Sequence, residues 1–309
     1  MRLSTLASRL GARRRGDADP DLARLAPPSH AGPAELTLAM DDAALDRLPP
    51  RTGAVIVPDG LVDACPFPSI SGAHPKALFA RAGHYLAAVG SDTAATPLPA
   101  VSGAETHIGE GCRFGPAVVV GDRVRIGDFV EVGAGTVIAG DTCIGNRTRI
   151  GPLSSIGHAP FDFVEDGGCW LHTPVRAGVR IADDCFIGAR CTIPAGCARE
   201  TEIGSGAILD DGVHIGHDAR IGPQCAIAGG ALVGGYVTLG PGCKIAGGAA
   251  IAEGVSLASG VVVTAMTGVS SDVDRSGARM ASGWPAMPAI QWWRLVSRVR
   301  RSVDDETNQ

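Results

Sequence analysis

The sequence predicts a mainly β chain built around a long parallel β-helix, with a small α/β segment before it and a helix after it. Two observations carry this reading. Aliphatic residues recur at every sixth position over nearly half of the chain. Large rings are also too scarce for an ordinary core, since 309 residues include 43 glycines but only 7 Phe, 4 Trp and 2 Tyr.

The six-residue register runs from Ile108 through Phe114, Val120, Ile126, Val132, Ile138, Ile144, Ile150 and Ile156. It resumes at Ile181, Ile187 and Ile193, and again from Ile203 through Ile215, Ile227, Leu239 and Ile251 to Val263. Neither a helical period of 3.6 nor a strand period of 2 explains it. A coil of three short strands, each followed by a turn, does. The residue after the aliphatic is usually Gly or Ala, as at Gly109, Gly127, Gly216 and Gly234, where a corner needs a small residue or a positive φ. The fifth position is small or branched (Val124, Thr136, Ala207, Ala231) and faces inward, so stacked ladders of short side chains supply the core.

Two breaks in phase stand out. Between Ile156 and Ile181 the chain carries Pro160, Phe161, Phe163, Gly167, Gly168, Trp170 and Pro174, which predicts a projecting loop at 157–180. The step from Ile193 to Ile203 exceeds one hexad by four and predicts a bulge at Arg199, Glu200, Thr201 and Glu202.

Three segments follow: an α/β domain at 1–102, the β-helix at 103–273, and a terminal turn and helix at 274–309. In the first, Ser4 is placed to cap a short helix that carries Leu6, Ala7 and Leu10 and is ended by Gly11. Ala54 to Val57 reads as a buried strand, and Pro75 to Leu86 as a helix with Pro in its first turn. In the last, Ser282-Gly283-Trp284-Pro285 forms a turn, and Ile290 to Val303 forms a helix that covers the open end of the coil. Six arginines and no acid lie between Arg275 and Val303.

With 27 basic against 32 acidic side chains, a net charge of −5 and a pI near 5.9, the chain lacks the overall positive field of a nucleic-acid binder. No apolar run approaches the ~18 residues of a spanning helix, which leaves at most peripheral membrane contact. The arginines of the first twenty residues precede no apolar signal core, so a cytoplasmic location is expected.

Among eight histidines, His217 stands apart. It occupies a turn position of its hexad beside Asp218, a carboxylate able to orient or charge-balance an imidazole, as a general base on a rigid coil requires. His214, at the sixth position, reads as a surface residue. Cys112, Cys185, Cys191, Cys197, Cys225 and Cys243 all fall on the inward fifth position and read as small core residues. The grouping of Cys185, Cys191 and Cys197 in one coil is the arrangement that keeps a metal alternative open. No histidine pair has metal-like spacing, and dinucleotide, P-loop and hydrolase-elbow motifs are missing, so no metal or cofactor is expected.

With these residues in view, the chain resembles, over nearly its whole length, the UDP-3-O-(3-hydroxyacyl)glucosamine N-acyltransferase family of lipid A biosynthesis. The resemblance rests on Leu6-Ala7-Ser8-Arg9-Leu10-Gly11, the strand Ala54 to Val57, and His74-Pro75-Lys76. It rests also on the loop Phe161-Asp162-Phe163 with Trp170, the step from Ile193 to Ile203, and the end Ser282 to Pro285 with Trp293-Arg294. It implies a left-handed coil and a homotrimer with active sites in clefts between neighbouring coils. There the amine of a UDP-sugar acceptor attacks the thioester of a 3-hydroxyacyl chain on acyl carrier protein. His217 matches the family's base, Gly235 the glycine whose N–H holds the oxyanion, and Asp218 stands where it orients the base. His74, Lys76, Phe161 and Phe163 match substrate-binding positions, and Arg294, Arg298, Arg300 and Arg301 would dock the carrier.

Departures accompany the match. Asp218 replaces Asn and Gly254 a second histidine. Leu38 and Lys76 stand where uracil-stacking rings are expected, His74 replaces Asn, and Pro160 and Asp162 replace loop glycines. These keep open an acyltransferase of the same fold with another amino-sugar acceptor or a coenzyme A donor, and a non-catalytic trimeric paralogue.

Overall fold

The computed structural model describes residues 1–88, 101–281, 288 and 290–298. The chain forms two compact units, Met1–Ala94 and Ala95–Gln309. The turn expected at Ser282 to Pro285, and Arg300 and Arg301, lie outside the described residues.

In the first unit, helix α1 (Leu3–Leu10) buries Leu3, Leu6, Ala7 and Leu10, and Gly11 ends it at φ 61°. Ser4 does not cap it from outside. It lies in the first turn, where its N–H and Oγ–H donate to the Asp19 carboxylate at 2.7 and 2.8 Å, so the cap comes from a residue distant in sequence. The strands are β1 (Arg13–Arg15), β2 (Arg24–Leu25), β3 (Glu35–Leu38), β4 (Ala54–Val57) and β5 (Ser69–Ser71), in the order β1-β5-β4-β3-β2. Only β1 runs antiparallel to its neighbour. The expected strand Ala54–Val57 is central and buried throughout, and the expected second helix, α3, extends over Pro75–Ala88, after a short α2 (Asp42–Asp46).

The second unit is a parallel β-helix whose short strands stack into three sheets. The hexad anchors pair in register from coil to coil. One ladder is Ile108, Ile126, Ile144, Ile181, Ile203, Ile221, Leu239 and Leu257. A second starts Phe114, Val132, Ile150, Ile187 and Leu209. Most of these anchors are fully buried, and burial at about 25 cal/mol per Å² makes such ladders the main source of stability.

The corner glycines act through space and not through φ. Left-handed backbone falls two residues after them, as at Gly111, Arg123, Arg147 and Asp218. A Cβ on Gly216 would lie 2.3 Å from the Gly235 nitrogen of the next coil, so the close approach of successive coils excludes a side chain there. The polar residues of the inward fifth position have a reason too. Their S–H or O–H donates to a corner carbonyl on the next coil: Cys112 to Gly127, Cys185 to Gly204, Cys191 to Asp210, Cys225 to Gly240, Thr136 to Gly151 and Ser154 to Gly188, at 2.9–3.3 Å.

Both phase breaks are present. The first holds an antiparallel hairpin, Phe163–Asp166 with Cys169–His172, exposed along its whole length. The bulge lies earlier than the sequence reading places it. Thr201 and Glu202 already belong to the regular strand Thr201–Ile203, and the surplus residues are those leading up to Arg199 and Glu200. After the coil, residues 290–298 form a helix, but Ile290 and Trp293 are 67% and 65% exposed.

Candidate active site

His217 and Asp218 form the turn after the strand His214–Ile215. The Asp218 backbone is left-handed, at φ 59°, and its carboxylate is fully buried. One oxygen accepts the N–H groups of Ala198 and Arg199 at 2.8 and 2.7 Å, and the other accepts the Cys197 N–H at 2.8 Å. This second oxygen also lies 2.9 Å from His217 Nδ1. The bulge thus wraps around a carboxylate, which explains why extra residues are inserted at this place in the coil.

Burial alone would raise the Asp218 pKa. Hydrogen bonds from Cys197, His217, Arg199 and Ala198 outweigh it and hold the carboxyl below its ordinary value of 3.8. An ionised carboxylate only accepts, so His217 Nδ1 donates to it, and the neutral ring carries its lone pair on Nε2. The ring is 92% buried by its 8% residual exposure and meets Tyr236 edge-on with centroids 5.1 Å apart. Gly235, one coil on, lies against Nε2: a Cβ there would be 2.8 Å from it. Among the described residues no acceptor takes the Gly235 N–H. A ring nitrogen able to accept a proton thus lies against a glycine whose N–H has no acceptor among the described residues.

Asp218→Ala would leave three backbone N–H groups without acceptors, at about 1–3 kcal/mol for each that water fails to reach. The expected loss is about 2–3 kcal/mol in denaturant melts at neutral pH. Because the folded carboxyl is the stronger acid, its contribution is complete above the ordinary carboxylate range and fades as pH falls through the lowered value. The difference between wild type and variant should shrink in acid.

The structure adds two residues that spacing does not single out. Cys197 is buried, yet it leaves the inward ladder as the bulge begins and comes beside His217 together with Asp162 of the projecting loop. Burial and the Asp162 carboxylate push its thiol up to about 12. This corrects its reading as a ladder residue. It also parts Cys197 from Cys185 and Cys191, which remain in the core. His214 is half-buried and not a free surface residue: its Nδ1 meets Thr192 Oγ1 at 2.7 Å. Burial, His158 and His217 together hold its pKa below the ordinary value.

The remaining residues are more dispersed. Phe161 is 90% exposed and meets Phe163 at a tilt, centroids 5.1 Å apart, so the loop reaches His217 through Asp162 and not through its rings. His74 and Lys76 are exposed at the start of α3. Neither lines the first unit's apolar cavity of about 380 Å³, which is formed by Leu25, Ala26, Pro27, Pro28, Leu38 and Phe79. Gly254 sits at φ 76° with open space around it and donates its N–H to the Gly235 carbonyl. Arg294 and Arg298 are exposed on the terminal helix.

Coil and repeat place the chain among the hexapeptide-repeat transferases. The bacterial transferase hexapeptide family (six repeats) matches residues 105–140, 123–158 and 200–235. The UDP-N-acetylglucosamine acyltransferase of Bacteroides fragilis shares the left-handed coil, with a TM-score of 0.53 and 26% identity over 58% of this chain and 68% of that one. A narrower assignment follows from sequence along the whole chain. It is 32% identical to the UDP-3-O-acylglucosamine N-acyltransferase of Pseudomonas syringae pv. tomato, over 99% of this chain and 92% of that protein. It is 36% identical to the protein of the same name from Pseudomonas aeruginosa, over 98% and 91%. The chain belongs to the UDP-3-O-acylglucosamine N-acyltransferase family, and is an acyltransferase.

Proposed function

We propose that the protein transfers a 3-hydroxyacyl chain from acyl carrier protein to the amine of UDP-3-O-acylglucosamine, a step of lipid A biosynthesis. The observation that carries the mechanism is the His217–Asp218 pair, which engages Nδ1 and leaves Nε2 to face Gly235. The amine nitrogen attacks the thioester carbon while Nε2 takes its proton. The Gly235 N–H donates to the oxyanion of the tetrahedral intermediate. Collapse breaks the C–S bond, and His217 returns the proton to the leaving thiolate, giving an amide and a free carrier thiol. Asp218 keeps the ring in the required tautomer and stabilises its protonated form.

No metal or cofactor takes part in this scheme. A homotrimer would pair the outer faces of neighbouring coils. Phe186 and Ile208, each about half exposed, line an apolar groove of about 490 Å³ that a neighbour would cover. Arg294 and Arg298, one turn apart on an exposed helix, suit an acidic carrier surface, and Arg300 and Arg301 extend the run. His74, Lys76, Phe161 and Phe163 are kept as the acceptor-binding positions that the family resemblance implies. A cytoplasmic location agrees with a carrier-bound donor, and among the described residues no helix is long and apolar enough to cross a membrane.

The test is transfer from 3-hydroxyacyl carrier proteins of several chain lengths to UDP-3-O-acylglucosamine. Amide formation at enzymatic rates is expected. Transfer only from coenzyme A, or only to a different amino sugar, would replace the proposed substrates while keeping the mechanism. No transfer to any amine by the folded oligomer would overturn both.

A further inference from the structure

We infer that Asp162, Cys197 and His217 form a binding site for one zinc-class metal dication, and that occupancy silences the base. The three residues come from the projecting loop, the bulge and the following coil. Their ligand atoms all lie within 4.8 Å of one another. A carboxylate oxygen, a thiolate sulfur and an imidazole nitrogen form a donor set suited to Zn²⁺ and its Co²⁺ substitute. Tetrahedral bonds of ~2.0–2.3 Å separate ligand atoms by ~3.6 Å, so the site must contract by ~1 Å. Asp162, half-buried at the root of the hairpin, is the ligand free to supply that movement, whereas Cys197 and His217 are buried.

Two further features fit a metal site. Asp218, 2.9 Å from Nδ1, gives the carboxylate–histidine arrangement that orients metal-bound imidazoles and leaves Nε2 as the ligating atom. Cys197 also lacks the task of the other inward thiols. Among the described residues, the Cys185, Cys191, Cys225 and Cys243 sulfurs donate to corner carbonyls while the Cys197 sulfur does not. The ligating nitrogen is the one that must take the proton of the amine. Metal binding and transfer therefore exclude each other, and three protein ligands leave a fourth position for water. The inhibitory half of the proposal rests on the proposed function, whereas the binding half does not.

The binding test uses the full chain, stripped with chelator and titrated anaerobically with Co²⁺. One equivalent is expected to give tetrahedral d–d bands and a thiolate-to-cobalt charge-transfer band. Cys197→Ala should lose the charge-transfer band, and Asp162→Gly should bind Co²⁺ at least tenfold more weakly. Either no charge-transfer band in the wild type, or a band unchanged in Cys197→Ala and hence due to another thiol such as exposed Cys169, overturns the site. One equivalent of Zn²⁺ should abolish transfer reversibly, with chelator restoring it, and Cys197→Ala should need at least tenfold more zinc. Stoichiometric binding at Cys197 without inhibition removes the switch. A metal-free protein that binds cobalt through Cys197 but transfers nothing supports the site and counts against the acyl-transfer reading alone.

Discussion

His217→Ala is expected to lower the turnover number by about 10²- to 10⁴-fold, the range for loss of a positioned general base. KM for the acceptor should change little, because the ring acts on the proton and not on the sugar. The fold should survive. The Asp218 carboxylate keeps its backbone donors from Cys197, Ala198 and Arg199 and still anchors the bulge. The backbone bond from Tyr236 N–H to the residue 217 carbonyl, 2.9 Å in the wild type, does not depend on the side chain. Single-turnover transfer measured beside thermal melting and oligomer mass separates the two effects. A variant within about twofold of the wild-type rate would remove His217 from the mechanism, and a variant that fails to fold would show that the ring's contact with Tyr236 matters more than proposed here.

The coil was readable from sequence because its repeat imposes one constraint on every hexad, and the Ile108 and Phe114 ladders follow the register without exception. The junctions were not readable in the same way. Counting from Ile193 puts Cys197 on the inward position, but the extra residues that follow turn the chain around Asp218, so the count no longer reports direction. Asp162 lies in a loop with no period at all. Ser4 has the local pattern of a cap, and only the folded chain brings Asp19 to do that work. Corner glycines invite an explanation in φ, whereas the neighbouring coil at 2.3 Å is a tertiary fact. One signal was available for the site: the loop and the bulge both interrupt phase, and a repeat protein that breaks its rule twice on one side of a histidine marks where that histidine is served.

Gly235→Ala should separate the site from the scaffold most sharply. The new methyl would stand 2.8 Å from His217 Nε2, 3.1 Å from Cε1 and 3.2 Å from Cδ2. Something must move, and little can. The ring is tied through Nδ1 to a buried carboxylate and closed on one side by Tyr236. The Gly235 backbone is tied by the Gly254 N–H on its carbonyl at 2.8 Å. Gly235 is not among the positive-φ residues, so alanine brings no backbone strain of its own. The expected result is a loss of about 10²- to 10³-fold in turnover, as misplacing a catalytic group by about 1 Å produces, with a stability cost of about 1–3 kcal/mol, the range for an extra methyl forced into packed space. Gly234→Ala provides the contrast: its Cβ would meet the Glu253 backbone nitrogen at 2.7 Å, a clash between coils that should lower stability first. If Gly235→Ala keeps full turnover, the amine cannot approach Nε2 from the Gly235 side. The oxyanion donor must then be sought elsewhere on the coil.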